Sequence, residues 1–347
     1  MSLPVTINYE GVSALAREKY LPPLIDQVYR GNALLMRLRP RMATNFTGRQ
    51  INIPIITKAE NFEAYSGWDK ANMVEQQPFD AASYWARSYR VSVAISGDSE
   101  LIVSGDEAVV NLVEARMENA ANTFTDGLGT EIYNAATNPK GITGLQYAIP
   151  ETIETVAQTY GNISCGGVSY ANDPNKWWQP YADNTAYTAG DSPGNFMFAV
   201  ANPVQKAWNN IASRSGKQPT LILSNYGAWG DFHNSMVKND KYERPTQQSD
   251  LAKSGYMNLM YRSAPWVPDP KAPRSSGGVE KVYLLHEPHI LWTAHPARHF
   301  KQTDFMPLEV VGQDGKVSFI YLRSELAFKS RRSQGVIGNV TIPASIL

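Results

Sequence analysis

The stretch from Ser104 to Asn138 constrains this chain most. Apolar residues at Val109, Leu112, Val113, Met117, Ala120, Ala121, Phe124, Leu128 and Ile132 keep helical spacing over many turns. Ser104, with Glu107 three residues on, forms a capping box that satisfies two orphan amide donors at the start. Asn138-Pro139 closes the helix, because proline pushes the residue before it out of the α region. At full length such a helix runs roughly 50 Å, longer than a compact domain needs. Gly127 and Gly129 weaken its C-terminal end, by roughly 1 kcal/mol each relative to alanine. It is either a long core helix or a spine with separate lobes at its ends, and its neighbours decide which.

Two strands precede it. Ile51, Ile53 and Ile55 alternate with Gln50, Asn52 and Pro54; Tyr89, Val91, Val93 and Ile95 alternate with Arg90, Ser92 and Ala94. Roughly thirty residues separate them, far beyond a normal hairpin loop. The interval holds Glu60, Glu63, Asp69, Glu75 and Asp80 against Lys58 and Lys70, and also Phe62, Tyr65, Trp68 and Phe79. Disordered segments are poor in aromatics, and a two-stranded ribbon is too thin to bury these. A neighbouring subunit is the natural surface for them. Upstream, residues 30 to 49 carry Arg30, Arg37, Arg39, Arg41 and Arg49 and no acid. They form either a solvated basic face or the surface that a neighbour's acidic loop meets, with charge fixing the orientation. Before them, Val12 to Tyr20 reads as a short helix, followed by Pro22-Pro23, an arm and not a domain.

After the helix, Gly141, Gly144 and Pro150 are turn residues. Asn202 is a good N-cap, Pro203 a good first helical residue, and Val204, Ala207, Trp208, Ile211 and Ala212 make one face up to Gly216. Leu221-Ile222-Leu223 reads as a buried strand, and Ser224 or Asn225 caps a helix from Tyr226 to Met236. Strands follow around Leu259 to Val267 and Val282 to Leu285, which makes a mixed α/β lobe. Phe305 to Val311 and Val317 to Leu322 form a ribbon around Asp314-Gly315, ahead of a short apolar tail from Val336 to Leu347.

Chemistry is harder to find. His286, His289, His295 and His299 crowd into fourteen positions, but His286-Glu287-Pro288-His289 misses the His-Glu-x-x-His zinc motif, and Pro288 and Pro296 break the helix it needs. His233 beside Asp231 reads as structural. Gly127-Leu128-Gly129 lies mid-helix, without the strand-to-helix turn of a dinucleotide site. Cys165 is the single cysteine, which excludes an intrachain disulfide, and no histidine lies near enough in sequence to activate it. We expect no catalytic residue, no metal and no cofactor. Lys+Arg and Asp+Glu both number 32, so the basic excess of a dedicated nucleic-acid binder is missing. No apolar run is long enough to span a membrane, and MSLPVTINYEG has no signal-peptide pattern.

An arm, a long two-stranded excursion, a spine helix, an α/β lobe and a closing ribbon, in that order, resemble the major capsid proteins of tailed bacteriophages, the Hong Kong-type capsid fold. Gln50 to Ile56 and Tyr89 to Ile95 resemble the base of that family's extended loop, and Ser104 to Asn138 its spine helix. Gly141-Ile142-Thr143-Gly144-Leu145 resembles the turn after the spine. Tyr160-Gly161-Asn162-Ile163 and Trp177-Trp178 resemble its Gly-x-Ile and Trp-Trp segments, and Pro219 to Asn225 its axial strand. The resemblance implies an α+β chain in four parts: an N-terminal arm (1–48), an extended loop (49–98), a peripheral domain with the spine helix (99–140 and 300–347) and a mixed α/β axial domain (141–299).

It also implies a shell subunit, forming hexamers and pentamers around packaged double-stranded DNA without sequence-specific contacts, assembled in the host cytoplasm and resident in the virion. No scaffolding segment fits before residue 50, which implies either a separate scaffolding protein or a chain already processed; a portal is a further implied partner. The subunit-interface candidates are Arg37, Arg39, Arg41, Glu60, Glu63, Tyr65, Trp68 and Asp69. An encapsulin shell shares the fold and is the alternative; an α/β metal-dependent enzyme built around Ser224 and the histidines is the remote one.

Overall fold

The computed structural model describes residues 16–43, 48–56, 61–70, 73, 79–102, 106–135, 140–152, 164–165, 168–169, 177–190, 195–197, 202–238, 259–309 and 312–343. In chain order the elements begin with helices α1 (Leu21–Arg30) and α2 (Ala33–Leu38), then strands β1 (Gln50–Ile56), β2 (Phe79–Trp85) and β3 (Arg87–Ser96). Next come α3 (Gly97–Ile102), the long α4 (Asp106–Ile132), α5 (Leu145–Ala148), and the short strands β4 (Ser164–Cys165), β5 (Val168–Ser169), β6 (Tyr181–Asp183) and β7 (Tyr187–Thr188). Then follow α6 (Pro203–Ser215), β8 (Leu221–Ser224), α7 (Tyr226–Lys238), β9 (Leu259–Tyr261), β10 (Ala264–Pro268) and β11 (Val279–Leu285). The chain closes with β12 (Ile290–Ala294), β13 (Lys301–Gln302), β14 (Met306–Pro307), β15 (Gly315–Phe328) and β16 (Gly335–Thr341). It divides into two compact units.

The first unit comprises Met1–Thr47, Ala86–Glu131 and Trp292–Glu325. The spine stripe is real: Val113, Met117, Ala120, Ala121, Phe124 and Leu128 are buried, as helical periodicity requires of a one-sided face. β15 pairs antiparallel with β3 from Gly315↔Ser96 to Ser324↔Arg87. It also pairs with β13 and β14; of the expected ribbon, Met306↔Val317 and Pro307↔Lys316 pair, and Val310 and Val311 lie outside the described residues. The N-terminal helices are more than an arm, because Leu24, Val28, Tyr29, Leu34, Leu35 and Leu38 are buried. Pro22 and Pro23 lie in the first turn of α1, which needs no backbone donor. Ala16–Tyr20 is a π-helical turn, and Val12 lies outside the described residues. Phe300 packs edge-on against Tyr29 and Phe124, with ring centroids 6.1 and 5.5 Å away. Trp292 Nε1 donates to the Tyr29 hydroxyl at 3.3 Å. Burial pushes the Tyr29 hydroxyl pKa up; burial, helped by Arg39, pushes that of His299 down.

The second unit comprises Gly48–Trp85, Ile132–Leu291 and Leu326–Leu347. Here the sequence expectation is corrected. β1 pairs with β2, from Gln50↔Trp85 to Ile56↔Phe79, and not with Tyr89 to Ile95, which belongs to β3 and pairs with β15. Ile53, Ile55, Ala82 and Tyr84 form the buried face of the ribbon, and Tyr84 Oη donates to the Phe328 carbonyl at 3.3 Å. The main sheet runs β6-β16-β11-β8-β10-β9, with β7 also on β16. The expected apolar tail is thus an interior strand, β16, paired with both β11 and β6.

α6 is built as expected. Asn202 Oδ1 accepts from the amides of Val204 and Gln205, Pro203 opens the helix, and Gly216 ends it at φ 65°. Asn225 Oδ1 accepts from Tyr226 N at the start of α7. Both helices cover one core in which Trp208, Phe232, Trp266 and Leu284 are buried. A second correction concerns the spine, which ends at Ile132 and not at Asn138. The chain turns there: Tyr133 Oη donates to Asp269 at 2.8 Å, and Gly144 lies so close to the Asn134 backbone that a Cβ would clash. Ser104 and Asn138-Pro139, the expected cap and stop, and Tyr160 to Ile163 lie outside the described residues.

Candidate functional site

The sequence singles out the interval beyond the β1–β2 ribbon, and the structure gives it a defined tip. Ser66, Gly67, Trp68 and Asp69 form a turn: Asp69 N donates to Ser66 O at 3.2 Å, and Asp69 Oδ2 accepts from Ser66 N at 2.8 Å. Gly67 sits at φ 56°, a conformation that glycine adopts without steric cost. The turn holds Trp68 fully in solvent, at 101% relative exposure, with Phe62 at 98%, Met73 at 90% and Tyr65 at 79%. Glu63 and Asp69 are exposed beside them, and Glu60 lies outside the described residues. Four large apolar side chains so exposed within one short stretch make it a candidate interaction surface.

The basic stretch is less uniform than its sequence. Arg37 is half-buried, whereas Arg39 and Arg41 are exposed in a 3₁₀ turn. Arg39 pairs with Asp26 at 2.7 Å, and its guanidinium lies 5.0 Å from the centre of the Tyr29 ring. Asp26 also holds Arg30 at 2.7 Å. Part of this positive charge is therefore already answered inside the chain.

The histidines are engaged one by one. His286 and His289 meet edge-to-face at 4.6 Å. The Nδ1 of His286 lies 2.7 Å from Gln218 O, and that of His289 lies 2.7 Å from Ser333 Oγ. His295 Nδ1 accepts from Ala297 N, and His299 Nε2 lies 3.1 Å from Tyr29 Oη. Burial, and then His286, push the pKa of His289 down to about 4. Among the described residues no group of three His, Cys, Asp or Glu could hold a metal ion. Ser224, which an enzyme reading would use, is buried and accepts from Trp266 Nε1 at 2.8 Å.

Sequence reasoning missed a groove within the first unit, between β3 and α4. It encloses about 380 Å³ and is lined by Arg90, Ser92, Ala94, Arg116, Asn119 and Thr123. Arg90 is the outward residue of an alternating strand, and Arg116 lies on the outer face of the spine, so each alone reads as ordinary solvated charge. Their adjacency arises only when the strand packs on the helix.

No family model and no curated protein matches the chain. Solved structures do. A chain of the cyanophage A-1(L) capsid asymmetric unit matches with a TM-score of 0.61 at 16% identity, covering 91% of this chain and 93% of its own. The chain has the phage major capsid fold. A chain from Mycobacterium phage Bobi matches with a TM-score of 0.54 at 11% identity, covering 96% and 99%. The holo-SrpI encapsulin complex from Synechococcus elongatus PCC 7942 matches with a TM-score of 0.53 at 12% identity, covering 85% and 84%. At such identities the likeness is one of fold, which phage capsids and an encapsulin share; function has to be argued from surfaces.

Proposed function

We propose that this chain is the major capsid protein of a bacteriophage, assembling through hexamers and pentamers into an icosahedral shell around double-stranded DNA. The carrying observation is the Ser66–Asp69 turn, which presents Trp68 entirely to solvent on a subunit with the capsid fold. A lone subunit gains nothing from that exposure; a shell subunit buries the indole against its neighbour, where aromatic anchors contribute most of the binding energy. In this reading the loop supplies Glu60, Glu63, Tyr65, Trp68 and Asp69 to the interface. Arg37, Arg39 and Arg41 belong to the basic side it meets, and residues 49–98 act as the extended loop of a four-part subunit.

The charge balance supports a wall that encloses DNA without gripping it, because each added phosphate contact would hold DNA against packaging and ejection. A separate scaffolding protein and a portal are the further partners, with assembly in the host cytoplasm and residence in the virion. Among the described residues no helix is long and apolar enough to cross a membrane, in keeping with such a shell.

The test is size-exclusion chromatography with negative-stain microscopy of the purified chain, with and without its candidate scaffold. Closed shells, tubes or capsomer-sized rings are expected. A monomer under all conditions overturns the reading. Shells that package a protein cargo and no DNA would replace it with the encapsulin reading.

A further inference from the structure

Arg90, Val91, Ser92, Val93 and Ala94 all line the groove beside α4. Consecutive residues of a strand point to opposite faces, so only the strand's edge can present all of them to one space. β3 is such an edge: among the described residues it pairs with β15 alone. Every second residue of an edge strand turns its N–H and C=O away from the partner, which sets backbone donors along the groove. The opposite wall is the outward side of the spine, where Arg116, Asn119 and Thr123 are exposed at helical spacing. The apolar residues Val93 and Ala120 are buried beneath, so the accessible lining is polar and cationic.

Among the described residues neither Arg90 nor Arg116 has a carboxylate within ion-pair distance, and no acidic residue lines the groove. Glu114 and Glu118 stand two positions either side of Arg116, on other faces of the helix, and Glu114 accepts from the Tyr20 hydroxyl at 3.2 Å. Arg90 lies over the Phe319 ring at 5.9 Å, a contact that holds the guanidinium by its face and leaves its N–H edge for a ligand. The Ser92 hydroxyl and the Asn119 amide add neutral donors, whereas Thr123 gives its hydroxyl proton to the Asn119 carbonyl at 2.8 Å. A carboxylate has two oxygens and satisfies one guanidinium fork. A phosphate group has more acceptor oxygens and can engage guanidinium and neutral donors together. At about 380 Å³ the groove falls in the usual range for ligand pockets, roughly 300–1,000 Å³. We propose that the groove between β3 and α4 is a phosphate site, with Arg90 and Arg116 as its charged ligands and Ser92 and Asn119 as neutral donors. The backbone of a nucleic acid and free inorganic polyphosphate both supply that chemistry. Two charged contacts make binding weak and salt-sensitive, in keeping with a chain whose charges balance. The site goes beyond the shell reading and does not depend on it.

Titration of the full chain with inorganic pyrophosphate, and fluorescence anisotropy with a short DNA duplex, test the site. Arg90 and Arg116 are both exposed, so Arg90→Gln and Arg116→Gln should unfold at the wild-type temperature. Each is expected to weaken pyrophosphate binding at least tenfold. If the duplex binds, its log affinity should fall against log salt with a slope of about −2, and of about −1 in either variant. Lys217→Gln, an exposed change in the second unit, should alter neither ligand's binding. Arginine-dependent binding of pyrophosphate and duplex assigns the site to a phosphodiester backbone; arginine-dependent binding of pyrophosphate alone assigns it to free polyphosphate. A wild-type chain that binds neither ligand, folded arginine variants that bind as wild type does, or an equal loss in Lys217→Gln overturns the site. A polyglutamate peptide that binds as tightly as pyrophosphate also overturns it, since the groove then takes carboxylates. None of these failures touches the shell reading, which is tested by assembly.

Discussion

Trp266 and Trp68 are the same side chain in opposite settings. Trp266 is fully buried, stacked on Phe232 with ring centroids 4.6 Å apart, and its indole N–H reaches Ser224 Oγ. Trp68 is fully exposed on a turn whose own hydrogen bonds are local. The first lies in a lobe where two capped helices close over a seven-stranded sheet, so its burial stabilises the subunit. The second stabilises nothing within its own chain, yet it is held in a defined turn. The contrast separates residues that make the subunit from residues that use it.

The largest expected effect is on the packed side. Trp266→Ala should destabilise folding by about 3–5 kcal/mol, since it removes a buried aromatic and leaves a cavity against Phe232. Equilibrium denaturant unfolding measures it, and a loss under about 1 kcal/mol would break the contrast. A smaller effect comes from Asn202→Ala, which removes the cap on two amides of α6 and should cost about 1 kcal/mol in the same assay.

The smallest is a slope. The histidine at 289 faces His286, Ser333 Oγ, Lys217 and Lys329, and its folded pKa lies near 4 against an unfolded value near 6.5. Between those values the unfolded chain binds a proton that the folded chain refuses. Stability should therefore fall as pH drops from about 6.5 toward 4, then level off. His289→Gln should flatten the dependence of melting temperature on pH across that window. An unchanged slope would mean that another group carries the titration.

Much of this was legible because burial and period coincide. The spine stripe from Val113 to Leu128 and the Asn202–Gly216 helix read directly, since every apolar position in them faces a core. β2 did not, because its pattern misleads. The residues facing inward are Ala82 and Tyr84, whereas Trp85 is 43% exposed, so the hydrophobic signal sits partly on the wrong face. β3 alternates cleanly and invited pairing with β1, but alternation reports a buried face and not a partner, and its partner β15 lies more than two hundred residues away. The loop tip was legible as aromatic residues that nothing local could bury. The groove was not, because Arg90 and Arg116 meet only through packing.

The central claim is that Trp68 serves assembly and not folding. Analytical ultracentrifugation of wild type and Trp68→Ala at matched concentrations, beside thermal unfolding of each, tests it most directly. The expected result is unfolding unchanged within about 0.5 kcal/mol, with the assembled species reduced tenfold or more. Equal assembly by both proteins, or a Trp68→Ala subunit that unfolds as readily as Trp266→Ala, would contradict it.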